Sequence, residues 1–168
     1  EKGTMETILS TPARPLEVMG GKILPYVAVG YVETGIFLIA ARVLFDVPFT
    51  GSALALLAGF NLYLVASLAL GFLISTISAT QMAAMQISFF TILPTVLLSG
   101  FMFPFAGMPA WAQVLGNCLP ATHFLRITRK VMLKSAGFAE IRADMGWICV
   151  IMLVTTLIAL KRYHQTLD

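Results

Sequence analysis

Residues 53–103 read ALALLAGFNLYLVASLALGFLISTISATQMAAMQISFFTILPTVLLSGFMF, a stretch with no Asp, Glu, Lys or Arg. It sits inside a longer uncharged run, the 79 residues between Asp46 and Arg126. A helix needs roughly 20 apolar residues to cross about 30 Å of hydrocarbon, so the run has room for two or three crossings. The polar segment Thr76-Ile77-Ser78-Ala79-Thr80-Gln81 divides it, and Pro104, Gly107 and Pro109 end it. These interruptions predict membrane spans at residues 53–75 and 83–103.

Outward from that pair, a span is expected at residues 23–45, anchored by Tyr26, Tyr31 and Arg42 and stopped by the turn from Asp46 to Gly51. A last one is expected at residues 145–160, lengthened by Trp147 and the snorkelling pair Lys161 and Arg162. The fold class that follows is all-α: a polytopic bundle of four membrane spans with short re-entrant or interfacial helices. Composition agrees. The chain is 58% hydrophobic and 11% charged, with a mean hydropathy of +0.89, whereas soluble domains carry about 25% charge. The net charge of +3 is spread too thinly to form a nucleic-acid-binding face. Cys118 and Cys149 make no disulfide framework and no metal pair, and read as small buried residues. The opening Glu1, without a signal peptide, leads to the expectation of a C-terminal portion of a longer protein.

The 104–144 connection is patterned rather than random. Trp111, Val114, Leu115 and Cys118 line one face of a short helix entered through Pro109. Pro120 opens another, in which Phe124, Leu125, Ile127, Thr128, Val131 and Met132 alternate with His123, Arg126, Arg129, Lys130 and Lys134. That pattern suits a basic helix lying in the membrane interface, and equally one that packs on the spans and keeps its charges wet. At the N-terminus, Met5, Ile8, Leu9 and Pro12 line one side of a segment broken at Thr11-Pro12. Such an elbow can dock a soluble partner or be inert surface. Five basic residues fall on either side of the membrane (Lys2, Arg14, Lys22, Lys161 and Arg162 against Arg126, Arg129, Lys130, Lys134 and Arg142), so charge leaves the orientation open.

Catalytic chemistry finds no support. No G-x-x-x-x-G-K-[ST] loop and no G-x-S-x-G elbow exist, and His123 and His164 lie in separate connections, which argues against a metal site. No catalytic residue and no metal ligand is assigned. Two features fit a solute path. Glu33 lies near the middle of the first span, where a carboxylate either lines a path or is satisfied by a neighbouring helix. Gln81, Ser88, Thr91, Thr95 and Ser99 share one face of the third span; they either line a conduit or bond back to their own backbone beside Pro94. Ser67, Gly71 and Ser75 form a small-residue face suited to close helix contact, and Asn61 suits an interhelical hydrogen bond.

Several of these segments together resemble type-2 ABC exporter permeases. The opening Glu1-Lys2-Gly3-Thr4-Met5-Glu6-Thr7-Ile8-Leu9-Ser10-Thr11-Pro12 resembles the element that precedes their later spans. Gly71-Phe72-Leu73-Ile74-Ser75-Thr76 looks like the end of their fourth span. Ser99-Gly100-Phe101-Met102-Phe103-Pro104, Met108-Pro109-Ala110 and Leu119-Pro120-Ala121 then follow in the family's order. The resemblance covers essentially the whole chain and is nearest to the drug-exporter branch. It implies a transport subunit, not an enzyme, that holds the last four of six spans in a bacterial plasma (inner) membrane. Both ends of the segment would be cytoplasmic. Residues 1–22 would form a coupling elbow, with Thr4, Met5, Glu6, Ile8 and Leu9 against an ABC ATP-binding subunit. Residues 104–144 would be an external cap, marked by Phe103, Pro104, Met108, Pro109, Pro120 and Arg126, and residues 161–168 a cytoplasmic tail. The implied path-lining residues are Glu33, Ser88, Thr91, Thr95 and Ser99. Implied partners are the ATP-binding subunit, a second permease chain (identical or not) and membrane lipids, with no nucleic acid. No cofactor is expected in this chain, ATP and Mg belonging to the partner. The competing reading is a membrane scaffold, or a fragment of a polytopic enzyme, without an ATPase partner.

Overall fold

A computed structural model describes residues 15–46 and 51–165, and among these the regular elements are all helical. In order they are α1 (Pro15–Phe45), α2 (Ala53–Ile77), α3 (Gln81–Leu98), a 3₁₀ turn (Phe105–Gly107), α4 (Ala110–Asn117), α5 (Pro120–Lys134) and α6 (Phe138–Gln165). Four segments are long and apolar enough to cross a membrane: Ile23–Leu44, Ala53–Ile77, Gln81–Leu98 and Phe138–Lys161. α1 belongs to a compact unit separate from the rest of the described residues. Within it Arg42 pairs with Asp46 at 3.7 Å on an exposed surface. The elbow residues Thr4, Met5, Glu6, Ile8 and Leu9 lie outside the described residues.

Local chemistry sets the helix ends in the larger unit. Ser52 caps α2 by accepting from the Ala55 amide, and Ser78 closes it by donating its hydroxyl to the Ile74 carbonyl at 2.7 Å. Thr80 caps α3 in the same way through Ala83. A three-residue link therefore joins two capped apolar helices. α3 ends at Leu98, five residues before the boundary expected from the prolines. The reason is Gly100, whose φ of 85° turns the chain in a conformation only glycine adopts at no steric cost. Pro120 occupies the first turn of α5, where its missing N–H is harmless. At the other end of α5, left-handed Ser135 and the following Ala136 both turn their amides onto the Lys130 carbonyl.

The core lies where α2, α5 and α6 meet, and α2 packs most extensively on α6. Ala55, Leu56, Phe60, Ile127, Val131, Ile141 and Ile148 are buried there. Gly59 lets α5 approach closely, since a Cβ at that position would stand 2.9 Å from Ile127 Cγ2. Tyr63 stacks on Phe124 at 4.6 Å. Contact thus runs along Ala55, Gly59 and Phe60 rather than the expected Ser67–Gly71–Ser75 face, where the Gly71 site opens on empty space. Asn61 donates its amide to Leu57 one turn back in its own helix. α6 starts seven residues before the expected 145, so Glu140, Arg142 and Asp144 belong to its first turns. Cys118, expected to be buried, is exposed.

Candidate functional site

The connection between α3 and α6 folds as a helical hairpin fastened at both ends. Gly116 of α4 lies against the end of α3, a Cβ there standing 2.6 Å from the Leu98 carbonyl oxygen. Thr122 donates its hydroxyl to the Gly116 carbonyl at 2.6 Å, which binds the start of α5 to α4. The apolar face of α4 looks outward: Trp111, Val114 and Leu115 are exposed, while Ala112 and Gly116 are buried. α5 packs against the spans through its apolar face. Ile127 and Val131 are fully buried against the spans, whereas Arg129 and Lys134 stay exposed.

On the α6 side α5 presents His123, Arg126 and Lys130, three and four residues apart and so on one helical face. All three converge on Asp144, which is 5% exposed. Lys130 Nζ lies 2.7 Å from Oδ2 and also reaches the Glu140 carbonyl at 3.2 Å. His123 Nδ1 is 3.2 Å from Oδ1, and Arg126 is 4.0 Å from the same oxygen. The other nitrogen of His123 faces the Asn117 carbonyl at 3.0 Å. Arg126 donates to the Asn117 side chain at 2.9 Å and covers the Phe105 ring at 4.4 Å. Arg129 donates to the Gly100 carbonyl at 2.8 Å. A carboxylate in an apolar helix is costly alone, and here cationic groups of a neighbouring helix offset that cost. Sequence reasoning missed this junction. It set His123 aside as a poor metal ligand and counted Asp144 as loop; the usable signal was the 3–4 spacing of the three basic side chains.

The residues expected to form a cap come together in part. Phe103, Pro104, Met108 and Pro109 line one apolar cleft of about 390 Å³, with Leu97 and Trp111. Pro120 is buried at the start of α5, and Arg126 belongs to the Asp144 junction. The expected path residues divide further. Thr95 and Ser99 line a second cleft of about 330 Å³ with Tyr63, Phe101, Ala121 and Phe124. Thr91 and Thr95 donate to Ile87 and Thr91 carbonyls one turn back, and Ser99 to Val96. Back-bonding, one of the two alternatives for this stripe, is therefore present. Ser88 is half-buried on α3, and Glu33 is exposed on α1, in the other unit.

Four membrane-length helices, two of them joined through a folded helical hairpin, define a polytopic helical membrane protein. The chain belongs to the family described as ABC-2 family transporter protein, whose model matches residues 1–161. It is 34% identical over 134 residues to the probable multidrug ABC transporter permease YbhS of Escherichia coli K12, covering 79% of this chain and 36% of that protein. To the probable multidrug ABC transporter permease YbhR of the same organism it is 30% identical over 156 residues, 93% of this chain and 42% of the relative. It is also similar to ABC transporter G family member 20 of Dictyostelium discoideum, 29% identical over 161 residues, 94% of this chain and 21% of that protein. The chain thus spans less than half the length of these relatives. No solved structure matches it.

Proposed function

We propose that the chain forms part of the membrane-spanning permease of an ATP-driven exporter of amphiphilic or drug-like solutes, coupled to a separate ATP-binding subunit. The observation that carries this reading is the family match across residues 1–161, joined by relatives named as multidrug ABC transporter permeases. The arrangement is compatible with it. The cleft lined by Tyr63, Thr95 and Ser99 mixes aromatic rings with hydroxyls, as an amphiphile requires, the one lined by Phe103 and Trp111 is apolar, and no side chain in either is charged. The permease sits in a bacterial inner membrane with both ends of this segment cytoplasmic, pairs with a second permease chain, and lines a path between the two. ATP and Mg bind in the partner. Closure of the ATP-binding subunits pushes the residue 4–10 segment. Coupling then requires that the partner bias two arrangements of the spans, beyond merely touching them. Glu6 makes the polar contact, with Met5, Ile8 and Leu9 as its apolar anchor.

The test uses the complete protein extracted from membranes in mild detergent. A P-loop ATPase should co-purify, and Glu6→Lys should lower transport-coupled ATPase activity several-fold without preventing insertion. Failure to bring down any ATPase supports the scaffold reading and overturns this one; unchanged coupled rates overturn the role of Glu6.

A further inference from the structure

His123 is 2% exposed, and both of its ring nitrogens face oxygen. Nδ1 stands 3.2 Å from Asp144 Oδ1 on α6, and Nε2 stands 3.0 Å from the Asn117 carbonyl at the end of α4. A carbonyl oxygen only accepts, and so does the Asp144 carboxylate, salt-bridged to Lys130 at 2.7 Å. A neutral imidazole has one N–H and can satisfy one of these oxygens; at the other, lone pair would face lone pair. Flipping the ring would turn carbon toward both. Only the doubly protonated ring donates twice, and a polar contact left unsatisfied at a buried site is destabilising.

We infer that His123 is held as an imidazolium and acts as a proton-dependent pin that positions the α4–α5 hairpin on the last span. The groups around it are few. From α6 come Asp144 and the Trp147 indole, stacked near parallel at 6.2 Å. α4 offers the Asn117 carbonyl and has no ionisable side chain. On α5 itself, Arg126 and Lys130 share Asp144 with the ring, and their positive charge opposes the extra proton. α2 contributes no ionisable side chain but Tyr63, engaged with Phe124. Two hydrogen bonds to separate elements therefore depend on one proton. Loss of it turns one bond into a repulsive contact, so the pin holds only while the second proton stays on the ring. Release loosens α4, and α4 rests on the end of α3 through Gly116. This inference stands on the junction alone and holds whatever solute, if any, the protein moves.

The experiment is solid-state NMR of the complete protein in lipid bilayers, with ¹⁵N-histidine and ¹³C-tryptophan; dipolar contact to Trp147 identifies the His123 ring. Spectra are taken from about pH 5 to 8, the range in which an imidazole ordinarily changes charge. At the acid end both His123 nitrogens should carry protons. The second sample is Asp144→Asn. Its amide can donate to Nδ1, leaving Nε2–H for Asn117, so this variant should show one N–H and one bare nitrogen. A single N–H in the unaltered protein at the acid end overturns the inference without touching the transport reading. So does an Asp144→Asn ring that still carries two protons.

Discussion

The hydroxyls of α3 and the charged groups between α5 and α6 are both polar atoms in an apolar helical body, yet they are satisfied in opposite ways. Thr91 and Thr95 donate to carbonyls of their own helix, so their bonds survive wherever α3 goes. Asp144, Lys130, His123 and Arg126 are satisfied only across elements up to 21 residues apart in the chain, and their bonds exist only while those elements stay together. Burial follows the same division. α3 buries none of its residues, and Phe90 is 74% exposed, whereas α2, equally uncharged, buries Ala55, Leu56, Gly59, Phe60 and Ala66. An exposed apolar helix of membrane length presents its face to lipid or to another chain. The junction fastens α5 to α6, and within the larger unit α3 is the long helix whose surface is least covered.

The contrast breaks most easily at Asp144. Asp144→Ala removes the acceptor shared by Lys130, His123 and Arg126 and leaves cationic groups facing an apolar helix. Breaking a buried pair costs about 3–5 kcal/mol. Lys130 is partly solvated, 38% exposed, which places the expected loss near the lower end of that range, about 3 kcal/mol. Thermal unfolding of purified protein in detergent should show a large drop in Tm. An unchanged Tm would mean that the junction does not fasten the hairpin.

Gly116→Ala should cost somewhat less, about 1–3 kcal/mol, because a methyl there meets the Leu98 main chain and the Phe105 ring. Backbone cannot yield as a flexible side chain does, so α4 must shift. The same melting assay checks the cost, and Gly71→Ala, facing open space, is the control that should leave Tm within about 0.5 kcal/mol equivalent. A smaller effect is expected at Arg129. Arg129→Met removes the donor to the Gly100 carbonyl from an exposed side chain, a loss of about 1 kcal/mol read in the same way.

Much of this fold was legible because the membrane imposes strong rules. Uncharged runs pointed to the four long apolar helices, and the pattern of α5 identified its buried face through Ile127 and Val131. Errors fell where partners distant in sequence decide the outcome. Glu140, Arg142 and Asp144 looked like loop, yet α6 includes them, because α5 supplies the charge that makes Asp144 tolerable there. α3 stops short of Phe103 because the Gly100 conformation, not the downstream prolines, turns the chain. The hydroxyl stripe was legible as a face, but its two uses were not separable, since back-bonding and lining a cleft need the same spacing. Thr95 does both.

That double role makes α3 the site of the smallest expected stability change and the sharpest functional one. Thr91→Val with Thr95→Val keeps the side-chain shape and removes two hydroxyls whose acceptors are already engaged in helical bonding. Such back-bonds add little to a helix and can bend it slightly, so Tm should move by less than about 0.5 kcal/mol equivalent. At Thr95 the substitution also replaces a hydroxyl with a methyl in the cleft shared with Tyr63, Ser99 and Phe101. If that surface contacts the solute, transport into membrane vesicles should change for hydrogen-bonding amphiphiles and stay constant for purely apolar ones. A melting shift comparable to that of Asp144→Ala would show instead that the stripe fastens the bundle. Equal transport of both solute classes would remove Thr95 from the path.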